Sequence, residues 1–466
     1  MSRLVVVSNR VQIPRRGAEA NLGGLAVAML DTLRESGGLW FGWSGETGHE
    51  EDVGDPELQQ AGPITFATAD LSARIYEEYY AGFANSVIWP LFHYRLDLTD
   101  FSRRDMAGYE RVNAGFARRL LPLLRHDDLV WVHDYHFIPL CRYLRQAGAR
   151  QRVGFFLHIP WPATQVLLAL PNHRSLVRAL LSYDVVGLQT VSDRDSFYDY
   201  VRHEAGGSVD EDGRVAAYGE SALVQSFPIG IDAAQVARAA AGAARSAHVG
   251  RLRASVRRRK LIIGVDRLDY TKGLLERIGA YEHLLRRYPE YRGKVVFLQI
   301  APPSRAEMAK YQSIRHQVQD AAGELNGRYA EFDWTPFRYL NRGFNRSTLM
   351  GFLRQSQIGL ITPLRDGMNL VAKEFVAAQP RHDPGVLVLS RFAGAAAELE
   401  GALIVNPYDI EGVGDALRRG LDMPLGERKE RWRHMAARLR RWDVHAWRRA
   451  FLKALSDAPP PAPAGR

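Results

Sequence analysis

The chain has 466 residues, 46% of them apolar, which predicts two globular domains and excludes a disordered chain. Its 62 basic and 52 acidic side chains give a formal net charge of +10, which suits a phosphate-handling enzyme, a nucleic-acid binder or a membrane-surface protein equally. The single cysteine, Cys141, excludes an intrachain disulfide and a cysteine zinc cluster. The N-terminal apolar run is too short for a secretion signal, and no run could span a membrane, so we expect a soluble, cytoplasmic protein.

Short β-branched runs alternate with helical segments along the whole chain, a pattern typical of parallel α/β sheets. In the first half the predicted strands are 4–8, 39–44, 64–68, 87–90, 129–133, 153–158, 185–189 and 224–229. In the second half they are 261–265, 295–300, 329–332, 358–362, 386–389 and 403–405. The two series predict two Rossmann-like domains, and ligands of such sheets bind beyond the carboxyl ends of the strands.

The predicted domain junction is the segment 233–260, which is alanine-rich and helical at first and then arginine-rich. We expect its basic run to be a solvated face. From Pro424 onward the spacing of the apolar residues predicts an amphipathic helix, broken near Asp443 and packed on the body of the protein; the alternative is a basic nucleic-acid arm. We therefore expect an N-terminal domain of residues 1–232 joined by a C-terminal helix 441–456, a second domain of residues 233–440, and a disordered proline-rich tail, 457–466.

Several common motifs are missing from the sequence. It has no G-x-x-x-x-G-K-[ST] loop and no G-x-G-x-x-G after the first strand, which counts against an ATPase or an ordinary dehydrogenase. His203-Glu204 lacks a second histidine at helical spacing, so the zinc-protease pattern fails. The acidic run 210–212 lies among turn-forming residues and is interpreted as a loop.

Polar groups follow several predicted strands of the first half. Gly23 and Gly24 open a helix, where backbone amides can approach an anion, although a tight turn is the simpler interpretation. Asp134 directly follows one predicted strand and His158 lies at the end of the next, at the position where open parallel sheets bind ligands. A lone histidine is more often structural, but two such strand ends in succession favour a site.

The second half carries three such strand ends. Arg267 and Lys272 follow the first strand, and two cations there suit a diphosphate; salt bridges to Asp266 or Asp269 are the alternative. Arg305 follows the next strand. Farther on, a strand, a glycine-containing turn and a helix occupy 362–379, so helix-terminal amides could hold a phosphate and a carboxylate could accept ribose hydroxyls. The three strand ends together predict a nucleotide-diphosphate site.

From residue 2 to about residue 447 the sequence resembles the trehalose-6-phosphate synthases, retaining glycosyltransferases of the GT-B fold, an α/β fold of two Rossmann-like domains whose parallel sheets face a central cleft. The segments that carry the resemblance are VVVSNR, GGLWFGWSGETG, FHYRLDL, VHDYH, GFFLHIPWP, FPIGID, VDRLDYTKG, QIAPPSR, TPLRDGMNLVAKE and ALIVNPYD. The resemblance implies transfer of glucose from a sugar nucleotide, with UDP as the default base and GDP or ADP open, to glucose 6-phosphate.

The resemblance also implies roles for individual residues. The implied donor-binding residues are Gly23, Gly24, Arg267, Lys272, Phe344, Asp366, Leu370, Val371, Ala372, Lys373 and Glu374. The implied acceptor-binding residues are Arg10, Trp40, Tyr80, Asp134 and Arg305, and Trp89 and Ile159 match positions linked with the α-anomeric outcome. The implied catalytic residues are Asp134, His158, Arg267 and Lys272.

In the mechanism that the resemblance implies, substitution takes place on the front face of the sugar, and the leaving diphosphate removes the proton of the acceptor hydroxyl. Arg267 and Lys272 would stabilise that diphosphate in place of a metal, and His158 would orient the donor glucose. We expect no metal and no cofactor. The resemblance further implies a homotetramer that acts before a trehalose-6-phosphate phosphatase, in osmoprotection and stress response, with neither a membrane nor a nucleic acid as partner.

Other functions remain open at this point. A related enzyme could glucosylate glycerol 3-phosphate, or a pseudo-glycosyltransferase could couple a cyclitol nucleotide to a sugar phosphate. Arg10, Trp40, Tyr80 and Arg305 favour glucose 6-phosphate over both. A silent sugar-phosphate sensor would be expected to lack Asp134, Arg267, Lys272 or Glu374, and all four are present. Non-specific nucleic-acid binding would show steep salt dependence.

Overall fold

The computed structural model describes residues 2–13, 24–48, 53–305 and 307–459, and within them the chain forms two compact α/β units. The first unit contains the described residues up to Pro228 and those from Trp447 onward; the second runs from Ile229 to Ala446. The sequence had predicted the two crossings at 232/233 and 440/441. Each unit has one largely parallel sheet, which confirms the predicted fold class.

The sheet of the first unit has ten strands in the order β3-β4-β2-β1-β5-β6-β7-β10-β9-β8. Their bounds are β1 Leu4–Arg10, β2 Gly38–Gly48, β3 Glu57–Ala61, β4 Ile64–Ser72, β5 Leu129–His133, β6 Arg152–Phe156, β7 Val185–Leu188, β8 Ser208–Val209, β9 Arg214–Ala217 and β10 Glu220–Ser226. Pairing is parallel except at the two edges, where β3, β8 and β9 pair antiparallel. The acidic run 210–212 lies in the β8–β9 turn, as predicted.

The helices of the first unit are α1 Gly24–Ser36, α2 Ala73–Tyr76, α3 Trp89–Phe92, α4 Arg103–Leu120, α5 Leu140–Gln146, α6 Thr164–Leu167, α7 His173–Leu180 and α8 Val191–His203. A π-helical segment, Glu77–Ile88, joins α2 to α3 without a break. The predicted strand 87–90 is therefore wrong. Its residues are all buried, and a short apolar run that is buried on every side has no periodicity to distinguish a helix from a strand.

The sheet of the second unit has six strands, all parallel, in the order β13-β12-β11-β14-β15-β16. Their bounds are β11 Lys260–Val265, β12 Val295–Ile300, β13 Phe337–Leu340, β14 Ile358–Ile361, β15 Val386–Ser390 and β16 Leu403–Val405. The predicted strand 329–332 is wrong, because Tyr329 ends a helix and Phe332 is fully exposed in the turn that follows. The strand of this region begins at Phe337 instead.

The remaining helices are α9 Ala233–Ala243, α10 Ala247–Val256, α11 Leu274–Arg287, α12 Ala309–Tyr329, α13 Arg346–Gln355, α14 Leu370–Ala378, α15 Ile410–Asp422, α16 Leu425–Arg441 and α17 Val444–Asp457. The helix predicted at the start of the junction is confirmed by α9, and the predicted break near Asp443 by the gap between α16 and α17. Among the described residues, no helix has the length and apolarity needed to cross a membrane.

Helix α17 packs on the sheet of the first unit through Trp447 and Phe451, which are fully buried. Phe451 stacks on Trp131 of β5 with ring centroids 4.7 Å apart. A Cβ on Gly154 of β6 would lie 2.8 Å from Phe451, so this glycine makes room for the helix. The predicted packing of the C-terminal helix on the body is confirmed, whereas the tail beyond residue 459 lies outside the described residues.

Candidate functional site

Arg10 and Tyr80, two predicted acceptor ligands, both contact the indole of Trp43. Arg10 ends β1 with an exposed side chain, and its guanidinium carbon lies 5.9 Å from the Trp43 ring centroid. Tyr80 lies 5.8 Å from the same indole and stacks on His136, also at 5.8 Å. Gly45, at φ +97°, gives Arg10 its space, since a Cβ there would lie 2.6 Å from the Arg10 Nε. Arg10 and Tyr80 thus form one cationic and aromatic surface with Trp43.

Trp40, a third predicted acceptor ligand, is a core residue. Its side chain is 1% exposed, and its indole N–H donates to the Ser8 hydroxyl at 2.8 Å. The ring also packs against Phe66. The indole therefore supports β1 from within the sheet, and the backbone of Trp40 pairs with β1 on one side and β4 on the other, so the acceptor role of Trp40 stays a prediction. Trp43 is the tryptophan of this strand that lies beside Arg10, and the sequence analysis did not single it out.

Asp134 and His158 lie together beyond the ends of β5 and β6. The backbone N–H of His158 donates to the Asp134 carboxylate at 3.1 Å, and Asp134 has a positive φ of 75°. Such a backbone is rare for a residue other than glycine and is common at functional sites. The two adjacent strand ends therefore bring the predicted pair together.

The His158 ring forms a 3.0 Å hydrogen bond with His133, the last residue of β5, whose role the sequence did not predict. Desolvation by the surrounding side chains lowers the pKa of His158 to about 3. The pKa of His133 is lowered mainly by burial and, to a smaller extent, by electrostatic repulsion from His158. Both rings are therefore neutral at physiological pH. A neutral His158 can orient a substrate hydroxyl by hydrogen bonding, but it does not supply a positive charge.

Four further predicted residues of the first unit have different outcomes. Trp89 is 4% exposed at the start of α3, where its ring lies 5.7 Å from that of Tyr135. Ile159 is 5% exposed, directly after His158. Gly24 is the first residue of α1, whereas Gly23 lies outside the described residues. The predicted anion site at this helix start therefore stays a prediction.

In the second unit the predicted donor residues Lys272 and Asp366 form an ion pair. Their Nζ and Oδ2 atoms are 2.6 Å apart, and the side chains are 10% and 16% exposed. The pair depends on Gly273, whose φ is +65° and whose position would put a Cβ 2.3 Å from the Thr362 carbonyl oxygen. Only glycine allows the start of α11 to approach the loop after β14 this closely.

Asp269, one of the alternative partners considered for these cations, is fully buried between them. Burial would raise its pKa, but Arg305, Lys272 and Arg267 lower it, and the resulting pKa is below the ordinary value. Arg305 Nη1 lies 3.4 Å from the Asp269 carboxylate and also contacts the hydroxyl of Tyr311. The Arg305 side chain is only 6% exposed and lies in an internal ion pair with Asp269, so its predicted contact with the acceptor stays a prediction. Arg267, in contrast, is exposed.

Arg277 of α11 organises these loops, and the sequence analysis did not identify it. Its side chain is completely buried and donates to Asp266 at 2.6 Å, to the Lys272 carbonyl at 2.9 Å and to the Thr362 hydroxyl at 3.0 Å. The signal in the sequence is a charge on the face of α11 that also carries Leu274. Arg277 therefore connects the loops after β11 and β14, which carry the residues predicted to bind phosphate.

The N-terminus of α14 lies beside the Lys272–Asp366 pair. Asn369, at φ +73°, caps the helix by accepting from the Ala372 N–H at 3.2 Å and donates to Asp366 at 3.1 Å. The first-turn amides of Leu370 and Val371 belong to those that a helix cannot satisfy internally, which suits an anion.

Two charged residues follow in the same helix. Burial raises the pKa of Glu374, and Arg346, 3.4 Å away, offsets part of that rise. The Lys373 ammonium is buried and donates to the Ile229 carbonyl at 2.7 Å and to Glu398. The Lys373 side chain therefore anchors the helix from within, and its contact with a donor nucleotide stays a prediction.

Phe344, the remaining predicted donor residue, precedes α13 and is partly exposed. Its ring packs against Phe352 at 5.3 Å and lies 4.8 Å from the guanidinium carbon of Arg342. An exposed aromatic face of this kind can carry a nucleotide base. Among the described residues, no group of three or more histidine, cysteine or carboxylate side chains has an arrangement that could hold a metal ion.

Comparison with known proteins gives consistent results. The sequence profile of glycosyltransferase family 20 matches residues 2–457. A trehalose-6-phosphate synthase from Sinorhizobium fredii is 52% identical over 457 residues, which cover 98% of each chain. The crystal structure of a UDP-forming α,α-trehalose-phosphate synthase from Burkholderia xenovorans in complex with glucose 6-phosphate has a TM-score of 0.94 at 51% identity, covering 98% of this chain and 100% of that one. A structure of the E. coli protein bound with UDP-2-fluoroglucose has the same TM-score at 47% identity, with coverage of 99% and 100%.

Proposed function

Because this chain belongs to glycosyltransferase family 20, we propose that it transfers glucose, with retention, from UDP-glucose to glucose 6-phosphate and forms α,α-trehalose 6-phosphate and UDP. Support comes from relatives and solved structures of that activity that match over the full length of the chain. One of the solved structures carries the proposed acceptor, and another an analogue of the proposed donor.

The observation that carries the proposal is the Lys272–Asp366 pair beside the N-terminus of α14. In this pair each side chain compensates the charge of the other at 2.6 Å. When a sugar nucleotide binds, Lys272 can also pair with its diphosphate. Asp366 can then accept hydrogen bonds from the hydroxyls of the glucosyl group. Arg267, exposed on the same loop, adds a second cation for the leaving group. Charge on the diphosphate grows as the glycosidic bond breaks, so these cations stabilise the transition state more than the ground state.

The first unit supplies the acceptor in this proposal. Arg10 pairs with the phosphate of glucose 6-phosphate, and Tyr80 borders that phosphate through its contact with Trp43. The Asp134 carboxylate accepts a hydrogen bond from a hydroxyl of the acceptor glucose, and the neutral His158 ring forms a hydrogen bond with a hydroxyl of the donor glucose. The acceptor proton leaves with the diphosphate oxygen, so no protein base is required.

The direct test incubates the enzyme with UDP-, GDP- or ADP-glucose and with glucose 6-phosphate or glycerol 3-phosphate, and identifies the products by mass spectrometry. We expect trehalose 6-phosphate, formed fastest from UDP-glucose. A product from glycerol 3-phosphate alone would reassign the acceptor, and the absence of product with every pair would refute the proposal.

A variant test addresses the leaving group. We expect Lys272→Met to lower kcat about a hundredfold, which corresponds to about 3 kcal/mol of lost transition-state stabilisation. The KM for glucose 6-phosphate should change little. Lys429→Met, which removes a charge from α16, is the matched control. Unchanged kcat in Lys272→Met would remove this residue from the mechanism.

We further propose a homotetramer that acts in the cytoplasm without a metal or other cofactor and supplies a trehalose-6-phosphate phosphatase, in osmoprotection and stress response. Neither a membrane nor a nucleic acid is a partner in this proposal. Lys272 and Arg267 lie on one loop after β11, and this supports stabilisation of the leaving diphosphate by two cations in place of a metal. Activity should persist in excess EDTA, and light scattering should give four chains per particle. Loss of activity with EDTA and its return with Mg²⁺ would contradict the metal-free mechanism.

A further inference from the structure

A basic pocket of about 700 Å³ lies at the amino end of the second unit's sheet. Its five cationic lining residues are Arg257, Arg258, Arg259, Lys260 and Lys294, against two acidic ones. Lys260 begins β11, and Lys294 directly precedes β12. The candidate donor cations lie beyond the opposite ends of these strands, and a six-residue strand is about 20 Å long. The pocket is therefore separate from the site that carries Lys272.

The five cations fall into two groups. Arg259 is fixed by Asp333 at 2.6 Å and by the Gly293 carbonyl at 2.9 Å, and Lys260 donates to a backbone carbonyl. Within the described residues, Arg257, Arg258 and Lys294 have no hydrogen-bonded or ion-paired side-chain partner and are exposed. Three cations are thus available at the rim of a pocket whose wall already carries two more.

The backbone that presents these arginines is strained. The Arg259 N–H donates to the Val256 carbonyl at 3.1 Å, so residues 256–259 form a β-turn. Arg257, its first central residue, has φ +55° and ψ −121°, the values of a type II′ turn, in which glycine is favoured. A long side chain here raises the energy of the fold, and strain of this kind occurs where a side chain must be presented to a ligand.

Neighbouring carboxylates balance only part of the positive charge around the pocket: Arg259 and, to a smaller extent, Arg257 lower the pKa of Asp333, which lies next to the pocket. Burial and then the proximity of Arg259 lower the pKa of Arg338, whose guanidinium donates to Ser255 at 2.7 Å. The two acidic lining residues are Glu290 and Asp422, and Asp422 already accepts from the Tyr291 hydroxyl at 2.5 Å. An additional anion would therefore relieve repulsion among the arginines.

From this turn and its pocket, we propose a second anion site that binds a small molecule carrying two or more linked phosphate groups. Several cations around a concave space suit a compact polyphosphate, whose charge is spread over several oxygens. A nucleic-acid strand would need an extended basic track, whereas the unpaired cations Arg257, Arg258 and Lys294 lie around one pocket.

The test uses the full chain and inorganic pyrophosphate as the probe. Calorimetry is performed in an Arg10→Gln/Arg267→Gln/Lys272→Gln background, which removes the cations of the other candidate phosphate sites. We expect one pyrophosphate per chain to bind in this background. Adding Arg257→Gln, Arg258→Gln and Lys294→Gln should weaken binding at least about tenfold, as expected for lost charge-assisted hydrogen bonds.

The matched control replaces three exposed arginines of α16 in the same background: Arg433→Gln, Arg440→Gln and Arg441→Gln. It has the same net charge as the pocket variant, and we expect it to bind pyrophosphate unchanged. Equal weakening in both variants would show a general charge effect and overturn the site. No binding in the background, or binding of a single-stranded oligonucleotide without pyrophosphate, would overturn it as well.

Arg257→Gly gives a second, independent test, because glycine adopts the turn conformation without strain. We expect this variant to melt at a higher temperature than the parent while binding pyrophosphate more weakly. A higher melting temperature with unchanged affinity would mean that the Arg257 side chain has no role in binding.

Discussion

Gly45→Ala should weaken the proposed acceptor site through Arg10 while leaving the chemistry intact. The added methyl would lie 2.6 Å from the Arg10 Nε and 2.7 Å from Nη2, so the guanidinium must move. A displaced guanidinium loses part of a charge-assisted hydrogen bond to the acceptor phosphate, which contributes about 1.5–3 kcal/mol. Because the arginine is flexible, we take the lower end and expect the KM for glucose 6-phosphate to rise about tenfold.

The added Cβ also strains the backbone, since φ at Gly45 is +97°. Such strain costs about 1–2 kcal/mol of stability. Gly148→Ala separates the two effects, because Gly148 has φ +90° and no heavy atom within 4 Å of an added Cβ. Both variants should lose similar thermal stability, but only Gly45→Ala should raise the KM.

The assay measures initial rates against glucose 6-phosphate at saturating UDP-glucose, in the wild type and in an Arg10→Ala background. If Arg10 transmits the effect, Gly45→Ala should add little to the KM of Arg10→Ala. An equal increase of KM in both backgrounds would refute the reasoning, since the methyl would then act without Arg10.

Four further predictions concern single residues. His158 has its pKa lowered to about 3 from 6.5, so between those values the folded protein binds fewer protons than the unfolded chain and loses stability as the pH falls. His158→Gln should reduce the pH dependence of the unfolding free energy, measured by urea titration between pH 7 and 4, by up to about 1.4 kcal/mol per pH unit, and an unchanged dependence would contradict this. Arg277→Met should destabilise the fold by about 3–5 kcal/mol in denaturant, and Asp266→Leu/Arg277→Met should be less affected; equal losses would argue against a charge effect. Burial raises the pKa of the Cys141 thiol to about 12, so a thiol reagent should label the unfolded chain but not the native one. Arg305→Ala should lower the melting temperature because its buried carboxylate partner loses an ion pair; unchanged melting with a selectively raised KM for glucose 6-phosphate would support the acceptor role instead.

Local pattern was sufficient for most of the framework. The strands at 129–133, 295–300 and 403–405 have the bounds that were predicted, because buried parallel strands appear as short β-branched runs between polar turns. The errors arose where a run was equally apolar on all sides, as at 87–90, or where the strand carried polar residues, as in β13. Nor did local pattern predict the antiparallel edge strand β3, four of whose five residues are exposed.

The sequence by itself also placed Asp134, His158 and Lys272 correctly just beyond strand ends, since that position follows from chain order alone. Only the tertiary structure determines which side chains contact one another around those positions. Trp40 and Trp43 are three residues apart on one strand and both are buried, yet only Trp43 lies beside Arg10.

The same limit applies to the charged residues. A sequence cannot distinguish an arginine that will hold a phosphate from one such as Arg277, because both are cations near glycine-rich loops. The difference arises when packing excludes water from Arg277 and supplies Asp266 and backbone carbonyls as its partners, whereas Arg267 is left exposed. Burial and partner choice depend on contacts between residues that are distant in the chain, and only the folded chain brings those residues together.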